Sequence, residues 1–141
     1  MAFTLTFLDR KQGVLLTAGD TLSSEDLLRI NQQVGLLAEV VPGVRYLICD
    51  CSQVRRIDFD RSFMYQIAIR NMVVARRFNP GLFAVVAEEP YVFAHARIWW
   101  SYVQQCDWEV MPFRNLTEAK EWIGELGRKM FDSTLSCETM A

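Results

Sequence analysis

The sequence predicts an α/β domain: a β-hairpin start followed by four strand-helix units, forming a mostly parallel five-stranded sheet with helices mainly on one face. Three observations predict it. Short β-type runs alternate with stretches of helical periodicity, turn or capping residues stand at most of the junctions, and both alternations of the strand segments are apolar, as in a sheet buried on both faces. Right-handed crossovers between neighbouring parallel strands would then place the helices on one side.

FTLTFL (3–8) and GVLLTAG (13–19) flank the polar stretch DRKQ and read as the opening hairpin. Ser23 or Ser24 can cap a first helix reaching about Val41, because Leu27, Leu28, Ile30, Val34, Leu37, Ala38 and Val41 recur at helical spacing before Pro42-Gly43. YLICDC follows as a strand. Asp60 can cap a second helix over 61–78, ended by Asn79-Pro80-Gly81, and LFAVVA is the next strand. Pro90 suits the first turn of a third helix over 90–106, and WEVMPF is the last strand. Asn115 stands three residues before Glu118, a capping-box spacing, and opens a helix carrying Ala119, Trp122, Ile123, Leu126 and Met130. Residues 1–131 thus read as one domain, and 132–141 as a frayed, disordered tail.

Val14, Leu16, Tyr46, Ile48, Leu82, Ala84 and Val86 fall on one alternation of their strands, and Leu15, Leu47, Cys49, Phe83 and Val85 on the other. If helices cover one face, the second needs a cover of its own: a stray helix, a lipid-like ligand or a second subunit. A homodimer through that face is the expectation.

Composition narrows the function classes. With 51% hydrophobic and 23% charged residues over 141 positions, the chain is globular in type, and no run approaches the roughly 20 apolar residues of a membrane span. The N-terminus lacks the basic and long apolar regions of a secretory signal, which favours the cytoplasm and no membrane insertion. A net charge of −2 gives no global attraction to nucleic acid. Arg55, Arg56, Arg61, Arg70, Arg76 and Arg77 crowd one segment, and read as a solvated, ion-paired helix face.

The densest chemistry lies in YLICDCSQVRRID (46–58). Cys49 and Cys51 stand two apart in a strand, about 6.6 Å along it, poor geometry for a disulfide, and with Cys106 and Cys137 they read as thiols. One histidine and no paired cysteine knuckle exclude a typical zinc site, and no glycine-rich phosphate loop is present, so no metal or cofactor is expected. Asp20, Asp50, Asp58, Asp60, Glu88 and Glu89 gather where strands should end, the usual decoration of helix N-termini. His95 has Tyr91 one turn back and Trp99 one turn on, without a nucleophile or orienting partner in any recognisable motif. The aromatics of this helix exceed what one buried stripe can hide, making Tyr91, His95, Trp99 and Tyr102 the candidate lining of an apolar ligand pocket.

The order of elements and the stretch LICDCSQVRRID together resemble the anti-sigma-factor antagonist, or STAS, superfamily. Asp50 and Ser52 match the Asp and Ser of its hallmark strand, Val54 its loop valine, and Ile57-Asp58 its Ile-Asp. The family's phosphate-accepting serine is replaced here by Asp60, with Phe59 before it and Arg61 after; Ser62 does not align. An aspartate cannot form a stable serine-type phosphoester, so the resemblance implies a domain without the usual serine switch, in which Asp60 imitates part of the charged state. Phe113, Asn115, Glu118-Ala119 and Trp122-Ile123 resemble a divergent STAS-like branch whose fold is related to lipid-carrying CRAL-TRIO domains.

These readings converge on a non-enzymatic, regulatory, bacterial-type interaction domain. The expected contact surface for a protein partner is Ser52, Asp58, Asp60, Arg61 and Ser62. The alternative is a carrier or sensor of a small apolar or lipid-like ligand.

Overall fold

The computed structural model describes residues 3–41, 43–78, 81–104 and 106–132. Strands β1 (Phe3–Leu8) and β2 (Gly13–Ala18) pair antiparallel from Phe3 opposite Ala18 to Leu8 opposite Gly13. The turn between them is tight: the Gln12 amide donates to the Asp9 carbonyl at 3.1 Å, and Asp9, Arg10 and Lys11 all take left-handed backbone, with φ of 54°, 55° and 68°. Aspartate tolerates this region, whereas Arg10 and Lys11 sit there against the steric preference of any side chain with a Cβ.

A short strand β3 (Thr21–Ser23) leads into helix α1 (Ser24–Val40). Ser23 is the cap: its Oγ accepts from the Asp26 amide at 3.2 Å, and Asp26 Oδ2 accepts from the Ser23 amide at 2.9 Å, a reciprocal capping box. Strand β4 (Tyr46–Asp50) runs to a loop and a second short strand, β5 (Arg56–Asp58). Helix α2 (Arg61–Ala75) follows with a 3-10 turn (Arg76–Phe78), then β6 (Leu82–Val86), α3 (Pro90–Tyr102), β7 (Glu109–Phe113) and α4 (Leu116–Gly127), which runs on into a π turn (Arg128–Asp132).

The main sheet has the order β1-β2-β4-β6-β7, antiparallel only between β1 and β2. This is the expected α/β architecture. Three details depart from the sequence reading. β3 and β5 pair parallel to each other as a separate two-stranded sheet; each is three residues long and contributes one inward apolar side chain, Leu22 and Ile57, too little pattern to register as a strand. The third helix ends at Tyr102, not 106, because Val103 leaves helical backbone and its amide is shared between the Trp99 and Trp100 carbonyls. Register also rearranges the faces: Val14 stands opposite Leu47 and Leu16 opposite Cys49, so both lie on the Leu47, Cys49 and Val85 face, not with Ile48.

That face is covered by α1, α2 and α3, whose Ile30, Val34, Ala75, Val92 and Ala96 pack on it. The opposite face of Ile48, Leu82, Ala84 and Val86 is covered by α4 through Ala119 and Ile123, flanked by Trp122 and Leu126. The stray helix therefore supplies the cover that a second copy or a lipid would otherwise have provided, and the apolar demand behind the homodimer expectation is met within the chain. The tail assigned to 132–141 lies outside the described residues apart from Asp132, as does Cys137. No helix among the described residues is long and apolar enough to cross a membrane.

Because the hairpin turn holds Arg10 in left-handed backbone, Arg10→Gly should be neutral to about 1 kcal/mol stabilising in urea denaturation, where glycine inside a regular element costs 0.5–1 kcal/mol. A loss of the latter size would show that the turn does not hold this conformation.

Candidate functional site

The loop from β4 to α2 is built by backbone capture at both ends. Asp50 Oδ1 accepts from the Ser52 amide at 3.0 Å and from the Ser52 hydroxyl, closing an Asx-type turn directly after the strand. The Val54 amide donates to the Cys51 carbonyl at 3.1 Å, and the Val54 side chain is fully buried beneath. Arg55 curls back, its guanidinium donating to the Ser52 and Val54 carbonyls at 3.1 and 3.3 Å. The Asp20 carbonyl receives the amides of Arg55 and Arg56 at 2.8 and 3.2 Å, leading into the β3–β5 pair.

Asp60 then caps α2. Its Oδ1 accepts from the Phe63 amide at 2.8 Å and its carbonyl from Met64, so the carboxylate sits at the positive end of the helix. Phe59 and Phe63 pack ring to ring at 5.8 Å under it. Of the five residues expected at a contact surface, Asp58, Asp60, Arg61 and Ser62 are exposed in one continuous corner, whereas Ser52 is half-buried and engaged by Asp50. The rest of the arginine segment divides: Arg77 reaches α1, donating to the Gly35 carbonyl at 3.2 Å and lying 3.6 Å from Glu39, while Arg70 and Arg76 are exposed.

The second candidate set splits. His95 and Trp99 line an apolar cavity of about 110 Å³ between the sheet and helices α1–α3; Tyr91 stacks edge-on to His95 at 4.6 Å outside it, and Tyr102 packs against Tyr65 at 5.4 Å. His95 Nδ1 lies 2.8 Å from the Tyr91 carbonyl, which can only accept, so this nitrogen carries the proton. The sequence reading missed Asn31 and Asn71. Trp99 Nε1 donates to Asn71 Oδ1 at 2.9 Å, and Asn71 Nδ2 donates to Asn31 Oδ1 at 2.8 Å, a chain that ties α3 to α2 to α1 along the cavity. The available signal was asparagine inside two helices, where it is locally unfavourable and calls for a partner.

Cys49 and Cys51 are both buried on this cavity with their sulfurs 3.8 Å apart, closer than strand spacing implies, because Cys51 stands one residue past the end of β4. A hydrogen bond to Cys49, reinforced by burial, holds the Cys51 thiol well above the ordinary cysteine range. Burial likewise raises the Cys106 thiol. Among the described residues no three His, Cys, Asp or Glu side chains gather as a metal site.

The phosphorylated form of the Bacillus cell fate determinant SpoIIAA superposes with a TM-score of 0.53 at 15% identity, covering 86% of this chain and 99% of that one. The chain has the STAS fold of SpoIIAA. The unphosphorylated anti-sigma factor antagonist SpoIIAA gives 0.51 at 15% identity over 86% and 97% of the two chains. An uncharacterised DUF3478 protein from Shewanella loihica with a SpoIIAA-like fold gives 0.54 at 12%, over 86% and 93%. No known family profile matches the sequence, and no curated protein does.

The Cys51 thiol yields a pH prediction with a fixed sign. Its folded pKa is raised above an ordinary value of 9.0, so its contribution to stability is complete below pH 9 and declines as pH rises beyond it, when the unfolded thiol ionises and the buried one does not. The unfolding free energy from urea denaturation should fall above pH 9 by up to about 1.4 kcal/mol per pH unit for this group, and less in Cys51→Ala. An identical pH slope in that variant would contradict the assignment.

Proposed function

We propose that this STAS-fold chain is a non-enzymatic regulatory module that binds another protein through the corner formed by Asp58, Asp60, Arg61 and Ser62, with Ser52 holding the loop behind it. The observation that carries the reading is Asp60: an exposed carboxylate fixed at the N-cap of α2, where the STAS motif places its phosphate-accepting serine. A capping carboxylate presents negative charge at that point without a kinase, and with less charge and fewer acceptor oxygens than a phosphoserine. The surrounding loop is held by internal hydrogen bonds, so little conformational entropy would be lost on docking. In this reading the chain acts in the cytoplasm and responds to its partner's state, not to phosphorylation of its own serine.

Substitution separates the charge from the cap. Asparagine caps a helix about as well as aspartate, so Asp60→Asn should change stability by less than about 1 kcal/mol while weakening partner capture at least about tenfold, the effect of ~1.4 kcal/mol. Asp58→Asn and Arg61→Glu should act the same way. Quantitative affinity capture from the source cells, compared across wild type and the three variants, checks it; an unchanged set of captured proteins in all three would place the contact elsewhere.

A second reading, favoured by the cavity under α1–α3, is a sensor of a small apolar molecule. An engineered apolar cavity of about 150 Å³ holds one benzene; at about 110 Å³ this one suits a ligand near that size and not an acyl chain. Benzene should then shift the methyl resonances of Val92 and Ala96, and their silence at saturating benzene would remove this reading.

A further inference from the structure

On the α4 side of the sheet, at the opposite end of β4 from the Asp60 corner, lies a cleft of about 460 Å³ that neither reading above uses. Its size falls in the range of small-molecule sites, about 300–1,000 Å³. The floor is apolar, made by Leu8, Ile48, Leu82 and Ile123. One wall is the Tyr46 ring, which lies so close over Gly13 that a Cβ there would stand 2.0 Å from it, so glycine at 13 sets where the ring can lie. The other wall is the face of α4 bearing Lys120, Gly124 and Gly127, positions that share one side of a helix, with Arg128 just past its end. Two glycines so near each other in a helix work against its stability, and here they keep the cleft open: a Cβ at Gly124 would meet nothing within 4 Å, and one at Gly127 only Leu82 at 3.9 Å.

Charge at the rim is positive. Arg45, Lys120 and Arg128 line the cleft against a single acid, Asp9. Among the described residues no ion pair engages Lys120 or Arg128. The carboxyl end of α4 contributes negative dipole potential here, about half a charge, which Lys120 and Arg128 outweigh. The near side is fixed by the Gln12 carbonyl, which receives the Arg45 amide at 2.7 Å and the Tyr46 amide at 3.3 Å, and by the left-handed turn at Asp9–Lys11. Strained backbone beside an open, charged cleft is a pattern of binding sites.

We propose that this cleft binds a small organic anion with a flat apolar body: the body lies between Tyr46 and the two glycines of α4, and its carboxylate, sulfonate or phosphate meets Arg45, Lys120 and Arg128. The site is independent of the Asp60 corner, so either can fail without the other.

The probe is 8-anilinonaphthalene-1-sulfonate, whose flat naphthalene carries one anionic group, titrated by fluorescence into the full chain. Wild type should bind one equivalent. Gly124→Leu and Gly127→Leu each place their Cβ without a clash, extend into the cleft and suit a helix better than glycine, so they should keep or raise the melting temperature while weakening the probe at least tenfold. Lys120→Glu and Arg128→Glu should each weaken it several-fold, and uncharged N-phenyl-1-naphthylamine should bind wild type more weakly than the sulfonate. Absence of probe binding to wild type, wild-type affinity in both leucine variants, or equal affinity for the uncharged analogue would each overturn the proposal. A leucine variant with a lowered melting temperature would be replaced by Gly124→Gln, which fills the same space with a polar chain and must weaken the probe likewise.

Discussion

Burial of β4 on both faces is the constraint from which the rest of the structure follows. Leu47 is fully buried toward α1–α3 and Ile48 almost so toward α4, with parallel neighbours on both edges. A strand in this position cannot present a polar side chain in its middle without leaving a buried group unsatisfied. Polar chemistry is therefore pushed to its two ends. Asp50 at one end turns the chain into the capped corner of α2; Arg45 and Tyr46 at the other end border the cleft against α4.

The same constraint explains why two different helix layers are needed and why they are unequal. Crossovers of one hand send α1, α2 and α3 to a single face, where the asparagine pair and Trp99 lock them laterally. Trp108 ties the end of α2 to the approach of β7 by donating to the Ala75 carbonyl at 2.7 Å, with its ring against Phe78 and Phe83. The far face is left to α4 alone. One helix covers the centre of that face and not its rim, and the cleft is the space that remains beside it.

Much of the architecture was legible in the sequence because strands, caps and turns carry local signals: Asp60 and Asn115 cap the helices they were expected to cap, and of the two serines offered for the first helix it is Ser23. What was not legible depends on relations between segments. The pairing of β2 with β4 sets which face Val14 and Leu16 occupy, and no alternation within one strand contains that register. The choice among a helix, a ligand and a second subunit as cover for the second face was open for the same reason, since the apolar stripe of α4 specifies burial but not against which face. At the candidate corner the residues were contiguous in sequence and easily found, whereas the cavity residues Asn31 and Asn71 come from two helices and met only in three dimensions. Tyr91 and Tyr102 were grouped with His95 and Trp99 on one stretch of helix, yet only His95 and Trp99 line the cavity, and Tyr102 packs against Tyr65 instead.

The central claim is that the β4–α2 corner is the surface a protein partner meets. Site-specific photo-crosslinking in the source cells tests it most directly, with a benzophenone amino acid placed at exposed Gln53 in the corner and, as a control, at Glu121, also exposed, on α4. The account predicts a discrete crosslinked protein from position 53 and none shared with position 121. The same adduct from both positions, or none from position 53, would contradict it.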